Sequence, residues 1–186
     1  AIIVPHMLGI PAKIDAIQRL GIPVIEDCAQ SLGSFYKNTP TGSFGTISIF
    51  SFYASKVITT GQGGMAVTND RRLYKTMRDI IDYNGPDNYK IRYNYPLTDI
   101  HAAIGNIQFG KLEQFIRRRK HIASLYREIL SKTSIGYYPD ETMQQLNHFR
   151  FIVQFNDRRQ RDDAQRLLAE QSISTITPYK RSELLH

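Results

Sequence analysis

Three side chains stand where chemistry could be done. Asp27 closes the apolar run Val24-Ile-Glu-Asp27. At the carboxyl end of a buried strand, a carboxylate can bind a ribose hydroxyl, hold a metal or pair with a cationic heterocycle, and it can equally cap the helix that follows. Lys56 ends the stretch Ser51-Phe-Tyr-Ala-Ser-Lys56 and is followed by Thr59-Thr-Gly-Gln-Gly-Gly64. Small residues there let backbone approach a ligand, and a lysine among apolar groups can lose its proton and become a nucleophile. An exposed lysine with no role remains the alternative. Ser51 offers a hydroxyl to a phosphate. Glu26 and Asp27 are adjacent, so on a strand they face opposite ways and do not form a paired acid/base site.

Other chemistries find less support. The glycine stretch matches neither Walker A nor G-x-G-x-x-G, and no serine lies in a G-x-S-x-G elbow. The histidines at 6, 101, 121, 148 and 186 lack metal-ligand spacing, and no metal site is expected. His6 is read as scaffold. Cys28, the single cysteine, is read as a small core residue, since a neighbouring carboxylate raises a thiol's pKa.

The elements that would carry these groups are short and alternate in type. Residues 2–4 and 23–25 read as buried strands joined by a helix over 13–20, which implies parallel pairing. Strands follow at 46–52 and 64–68, then a helix over 71–81 and a loop over 83–94 containing Gly85-Pro86. Thr98 is a good N-cap for a long helical stretch reaching Ile129, bent near Gly110. Residues 134–140 read as a turn, 149–155 as a strand, 159–171 as a helix, and 173–176 as the start of a further strand.

The chain has 186 residues, 41% of them hydrophobic and 22% charged, enough apolar material for a core. No apolar run approaches the roughly 18 residues that cross a bilayer, and one cysteine permits no internal disulfide, which together favour the cytoplasm. The net charge of +7 suits phosphorylated or acidic partners. Much of the excess lies in residues 111–127, read as a solvated helix face. Nucleic-acid binding through residues 117–120 is not expected, because no aromatic stacking surface accompanies the run.

Taken together, four ordered blocks resemble the DegT/DnrJ/EryC1/StrS family of pyridoxal-phosphate sugar aminotransferases. They are Val24-Ile-Glu-Asp-Cys-Ala-Gln30, Ile49-Phe-Ser-Phe-Tyr-Ala-Ser-Lys56, Ile58-Thr-Thr-Gly-Gln-Gly-Gly-Met-Ala-Val-Thr-Asn-Asp70 and Tyr93-Asn-Tyr-Pro-Leu-Thr-Asp-Ile-His-Ala-Ala-Ile-Gly105. The resemblance implies an α/β protein of aminotransferase fold type I. Residues 1–110 would form part of the large cofactor domain, and residues 111–186 the linking helix and part of the small C-terminal domain. It also implies truncation at both ends, because the family's first strands, its Gly-Thr-x-Ala/Ser phosphate turn and its ring-stacking aromatic have no counterpart here.

The resemblance gives roles as well. Lys56 matches the lysine that holds pyridoxal 5'-phosphate as a Schiff base and shuttles a proton. Asp27 matches the carboxylate that pairs with the pyridine nitrogen, and Gln30 a position beside the ring. Ser51 matches a phosphate-binding hydroxyl, and Asn94 an asparagine reaching the phosphate from the other subunit of a homodimer. The implied reaction moves an amino group, in this family usually from glutamate, to the keto carbon of a nucleotide-linked 4-keto-6-deoxy sugar, as in perosamine synthase-like enzymes of surface polysaccharide synthesis. Lysine at position 56 argues against the related dehydratases, which have histidine there. The alternative is a non-catalytic homologue that dimerises or binds a sugar nucleotide.

Overall fold

The computed structural model describes residues 1–83, 88–138 and 145–178. Its centre is a four-stranded sheet made from β1 (Ile2–Pro5), β2 (Val24–Asp27), β5 (Ile47–Ser51) and β6 (Gly64–Val67), in that spatial order. The short helix α1 (Ile14–Gln18) joins β1 to β2, and a two-stranded hairpin, β3 (Phe35–Tyr36) and β4 (Thr39–Pro40), lies between β2 and β5. β1, β2 and β5 run parallel and β6 is antiparallel.

Register explains which side chains face inward. Val4 lies opposite Glu26, and Glu26 opposite Ser48, so these three share one face and all are buried. Val4, Val24 and Ile14 form the packed centre, with Ile2, Ala12, Ile17, Tyr36 and Phe44 around it. The alternate row carries Asp27 at the carboxyl end of β2, next to Ile49 of β5.

The helices begin where their caps lie. Asp70 accepts the N–H groups of Arg72 and Leu73 at 2.7 and 3.2 Å and opens α2 (Arg71–Ile81). Thr98 accepts the His101 N–H at 3.4 Å and opens α3 (Asp99–Gly110). A break at Lys111 separates α3 from α4 (Leu112–Leu130), close to the expected bend. A second two-stranded sheet, β7 (Gly136–Tyr138) with β8 (Ile152–Gln154), and the helix α5 (Arg158–Glu170) complete the order.

Three expectations are corrected. Residues 136–138, read as a turn, form β7, because β8 offers them a partner 14 residues or more away that local pattern does not reveal. Residues 149–155 form a strand only over Ile152–Gln154. Residues 173–176 form no strand, since no neighbouring strand pairs with them among the described residues. Gly85-Pro86 and residues 139–140 lie outside the described residues.

Candidate cofactor site

Lys56 is fixed by the turn that ends β5. Its N–H donates to the Tyr53 carbonyl at 3.0 Å, and the Thr60 N–H donates to Phe52 at 2.9 Å, folding the glycine-rich stretch back against the strand end. Gly61 and Gly63 have positive φ, which the fold-back requires. The half-buried Lys56 side chain meets Ala29, Gln30, Leu32, Ser51, Val57, Ile58 and Phe149 around one small void. That void is only about 10 Å³, room for about one water, so it marks where side chains converge and does not enclose a ligand.

Three of the expected groups therefore come together: Lys56, Ser51 and Gln30. Gln30 is oriented, because its Oε1 accepts the Leu8 N–H at 2.6 Å, leaving the amide donors for another partner. Asp27, half-buried at the end of β2, pairs with Ile49, two residues before Ser51. Its Oδ1 accepts the Ala29 N–H at 3.0 Å. No helix follows it, so the capping alternative gives way to an Asx-type turn. Asn94 is exposed and lies outside the void's walls.

Phe149 is a wall residue that sequence reading missed. Its ring centroid lies 5.3 Å from the Lys56 ammonium, within cation–π range. It is held by the fully buried Asn147, whose Nδ2 donates to the carbonyls of Gln30 and Leu32 at 2.9 and 3.0 Å, and whose Oδ1 accepts the Phe149 N–H. Gly9 permits this approach: a Cβ there would sit 2.2 Å from Asn147 Oδ1. These partners are more than a hundred residues apart, and no local pattern signals them.

Behind the site lies a cluster that histidine spacing also does not reveal. His6, Glu26 and Cys28 bring ligand-type atoms within 4.8 Å of one another. His6 Nδ1 accepts the Ala12 N–H at 3.0 Å, so Nε2 carries the proton and donates to Glu26 Oε1 at 2.9 Å. Glu26 also accepts the N–H groups of Gly42, Phe44 and Gly45 at 2.7, 2.7 and 2.6 Å. Burial, followed by the charges of Glu26 and Asp27, pushes the Cys28 thiol up to about 12. With both His6 nitrogens engaged, the cluster forms a hydrogen-bonded brace for residues 42–45.

His148 adds a pH-sensitive contact. Burial and then the charges of Arg127, Lys120 and Arg119 lower its pKa to about 4 from an ordinary 6.5. The folded state therefore binds this proton later than the unfolded state as pH falls. Its contribution is complete above 6.5 and is lost as pH falls through about 4. Urea unfolding of a His148→Asn variant, whose side chain tolerates the φ of +48° found there, should show a shallower loss of stability across that window.

A model of the DegT/DnrJ/EryC1/StrS aminotransferase family matches residues 1–185. The chain belongs to that family. GDP-perosamine synthase of Escherichia coli O157:H7 is 41% identical over 140 residues, which cover 69% of this chain and 38% of that protein. A DegT DnrJ EryC1 StrS aminotransferase from Brucella abortus has the same fold, with a TM-score of 0.85 at 29% identity over 96% of this chain and 49% of that one. Helicobacter pylori PseC, an aminotransferase involved in the biosynthesis of pseudoaminic acid, gives 0.87 at 25% identity over 97% and 52%. The chain thus spans about two-fifths of the curated relative and about half of each solved one. Among the described residues, no helix is long and apolar enough to cross a membrane.

Proposed function

We propose that this chain carries the lysine side of a pyridoxal 5'-phosphate-dependent sugar aminotransferase, which moves an amino group from glutamate to the keto carbon of a nucleotide-linked 4-keto-6-deoxy sugar. The observation that carries the reading is the convergence of Lys56, Ser51 and Gln30, with Asp27 at the neighbouring strand end, in a chain of this family. The donor set fits the cofactor by type: a primary amine, a hydroxyl, an oriented amide and a carboxylate, with no carboxylate among the walls around the amine. Similarity to GDP-perosamine synthase supports a nucleotide-linked sugar as acceptor.

Each residue has a task in that chemistry. Lys56 Nζ would hold the cofactor covalently and would take and return the proton at the reacting carbon. Asp27, whose other oxygen is tied to the Ala29 N–H, would hold a proton on the heterocycle nitrogen. Ser51 Oγ would donate to phosphate, Gln30 would turn its amide to the ring, and Phe149 would exclude water beside Lys56. When bound, the cofactor supplies an electron sink for the charge left on the substrate carbon.

Residues 1–110 belong, in this reading, to the cofactor domain, and 111–186 to the linking helix and small domain. A cytoplasmic homodimer, with Asn94 serving the partner's site, accords with the exposure of Asn94 and of Ile100, Ile104 and Ile107 on α3. The test is to incubate the chain with cofactor, glutamate and a nucleotide-linked 4-keto-6-deoxy sugar, and to measure 2-oxoglutarate and aminated sugar. Stoichiometric formation of both is expected. Cofactor binding without either product would favour the non-catalytic homologue.

A further inference from the structure

Four cationic side chains, Arg119, Lys120, Arg127 and Arg150, surround the His148–Phe149 segment that supplies one wall of the Lys56 pocket. Phe149 is shared by two cations: Lys56 Nζ lies 5.3 Å from its ring centroid and Arg150 Cζ lies 4.3 Å from it. The two charges are therefore separated by no more than the sum of those distances. Arg150 is exposed, and its hydrogen bond, from Nη1 to the Phe149 carbonyl at 3.2 Å, goes to a neutral acceptor. Arg119, half-buried on α4, donates to the His148 and Phe149 carbonyls at 3.2 and 3.5 Å. Lys120 and Arg127 lie one and eight positions further along the same helix.

None of Arg119, Lys120, Arg127 and Arg150 is paired with a carboxylate among the described residues. The ion pair α4 does make, Arg117 with Glu113 at 3.6 Å, is exposed. Like charges that share no acid among the described residues raise the local potential and favour an incoming anion. Burial and then the Arg150 charge lower the pKa of Arg119, as expected where two guanidinium groups approach each other. The backbone that presents Arg150 is fixed, because Asn147 is bound to Gln30, Leu32 and Ser34.

We infer that Arg150 binds an oxyanion of the substrate at the rim of the Lys56 pocket, with Phe149 as the platform for its guanidinium. This rests on the Lys56 pocket being the reaction centre proposed above. A guanidinium fork matches a carboxylate and a phosphate alike. The amino donor brings the first and the sugar nucleotide the second.

Phenylglyoxal labelling of the chain, followed by peptide mass mapping, reads the rate at Arg150 directly. Inorganic pyrophosphate and glutarate serve as separate probes, and exposed Arg72 and Arg158 as internal controls. At a probe concentration ten times its dissociation constant, labelling at Arg150 should slow about tenfold while the controls are unchanged. Protection by pyrophosphate alone assigns Arg150 to the diphosphate, and protection by glutarate alone to the donor. A Phe149→Leu variant, which keeps an apolar wall but removes the ring face, should lose most of the protection. Unchanged labelling with both probes, or equal slowing at Arg72, would overturn the assignment. Covalent capture of cofactor at Lys56, measured on the same preparation, separates the two ideas. Capture without protection sinks the Arg150 role alone, and protection without capture sinks the aminotransferase reading.

Discussion

Replacing Lys56 by alanine is expected to abolish amino transfer while leaving the fold intact. Proton transfer by a positioned side chain contributes about 10²–10⁴-fold, and Lys56 would also lose its covalent role, so the drop should be at least that large. Lys56→Arg should fail equally, because a guanidinium keeps its charge and stays protonated. Folding has little reason to suffer. The half-buried side chain makes one cation–π contact, and its N–H bond to Tyr53 belongs to the backbone. Loss of that contact costs about 0.5–1 kcal/mol. Product formation measured beside urea unfolding of the same variants separates chemistry from stability.

Glu26→Ala should have the largest effect on stability, about 1–3 kcal/mol for each buried donor left without its acceptor, read by urea unfolding. The side chain is fully buried and meets His6 and three backbone N–H groups, all of which would lose their acceptor. Burial alone would raise the Glu26 pKa, but the His6 bond and the N–H groups of Gly42, Gly45 and Phe44 outweigh it and lower it from 4.5. As pH falls, the unfolded state takes up this proton first. The carboxylate therefore contributes fully above 4.5 and is lost as pH falls through its depressed value. Glu26→Gln should flatten stability in that acid range. An unchanged acid limb would show that the brace does not depend on the charge.

Much of this was legible from local pattern. The parallel pair β1–β2 followed from two apolar runs separated by one short helix, α2 from its residue pattern and α3 from Thr98 as a cap, whereas the Asp70 cap of α2 emerged only in the structure. Opposite orientation of Glu26 and Asp27 followed from strand geometry, and Glu26 is indeed buried on the inner face while Asp27 is half-exposed. Long-range contacts were not legible. Phe149 beside Lys56, Asn147 against residues 30–34, and the β7–β8 pairing depend on chain segments meeting in space. His6 was read as scaffold, yet its partner Glu26 could not be named from sequence, because inward-facing polar residues look like ordinary strand ends. The solvated face expected over residues 111–127 holds for Arg117 and Arg118, whereas Arg119, Lys120 and Arg127 are half-buried.

The most direct test is to mix the chain with pyridoxal 5'-phosphate, reduce with borohydride and map the modified peptide by mass spectrometry. The account predicts one dominant adduct on Lys56, formed at cofactor concentrations that leave the exposed Lys37 unmodified. Adducts spread over surface lysines, with Lys56 labelled no faster than Lys37, would contradict it.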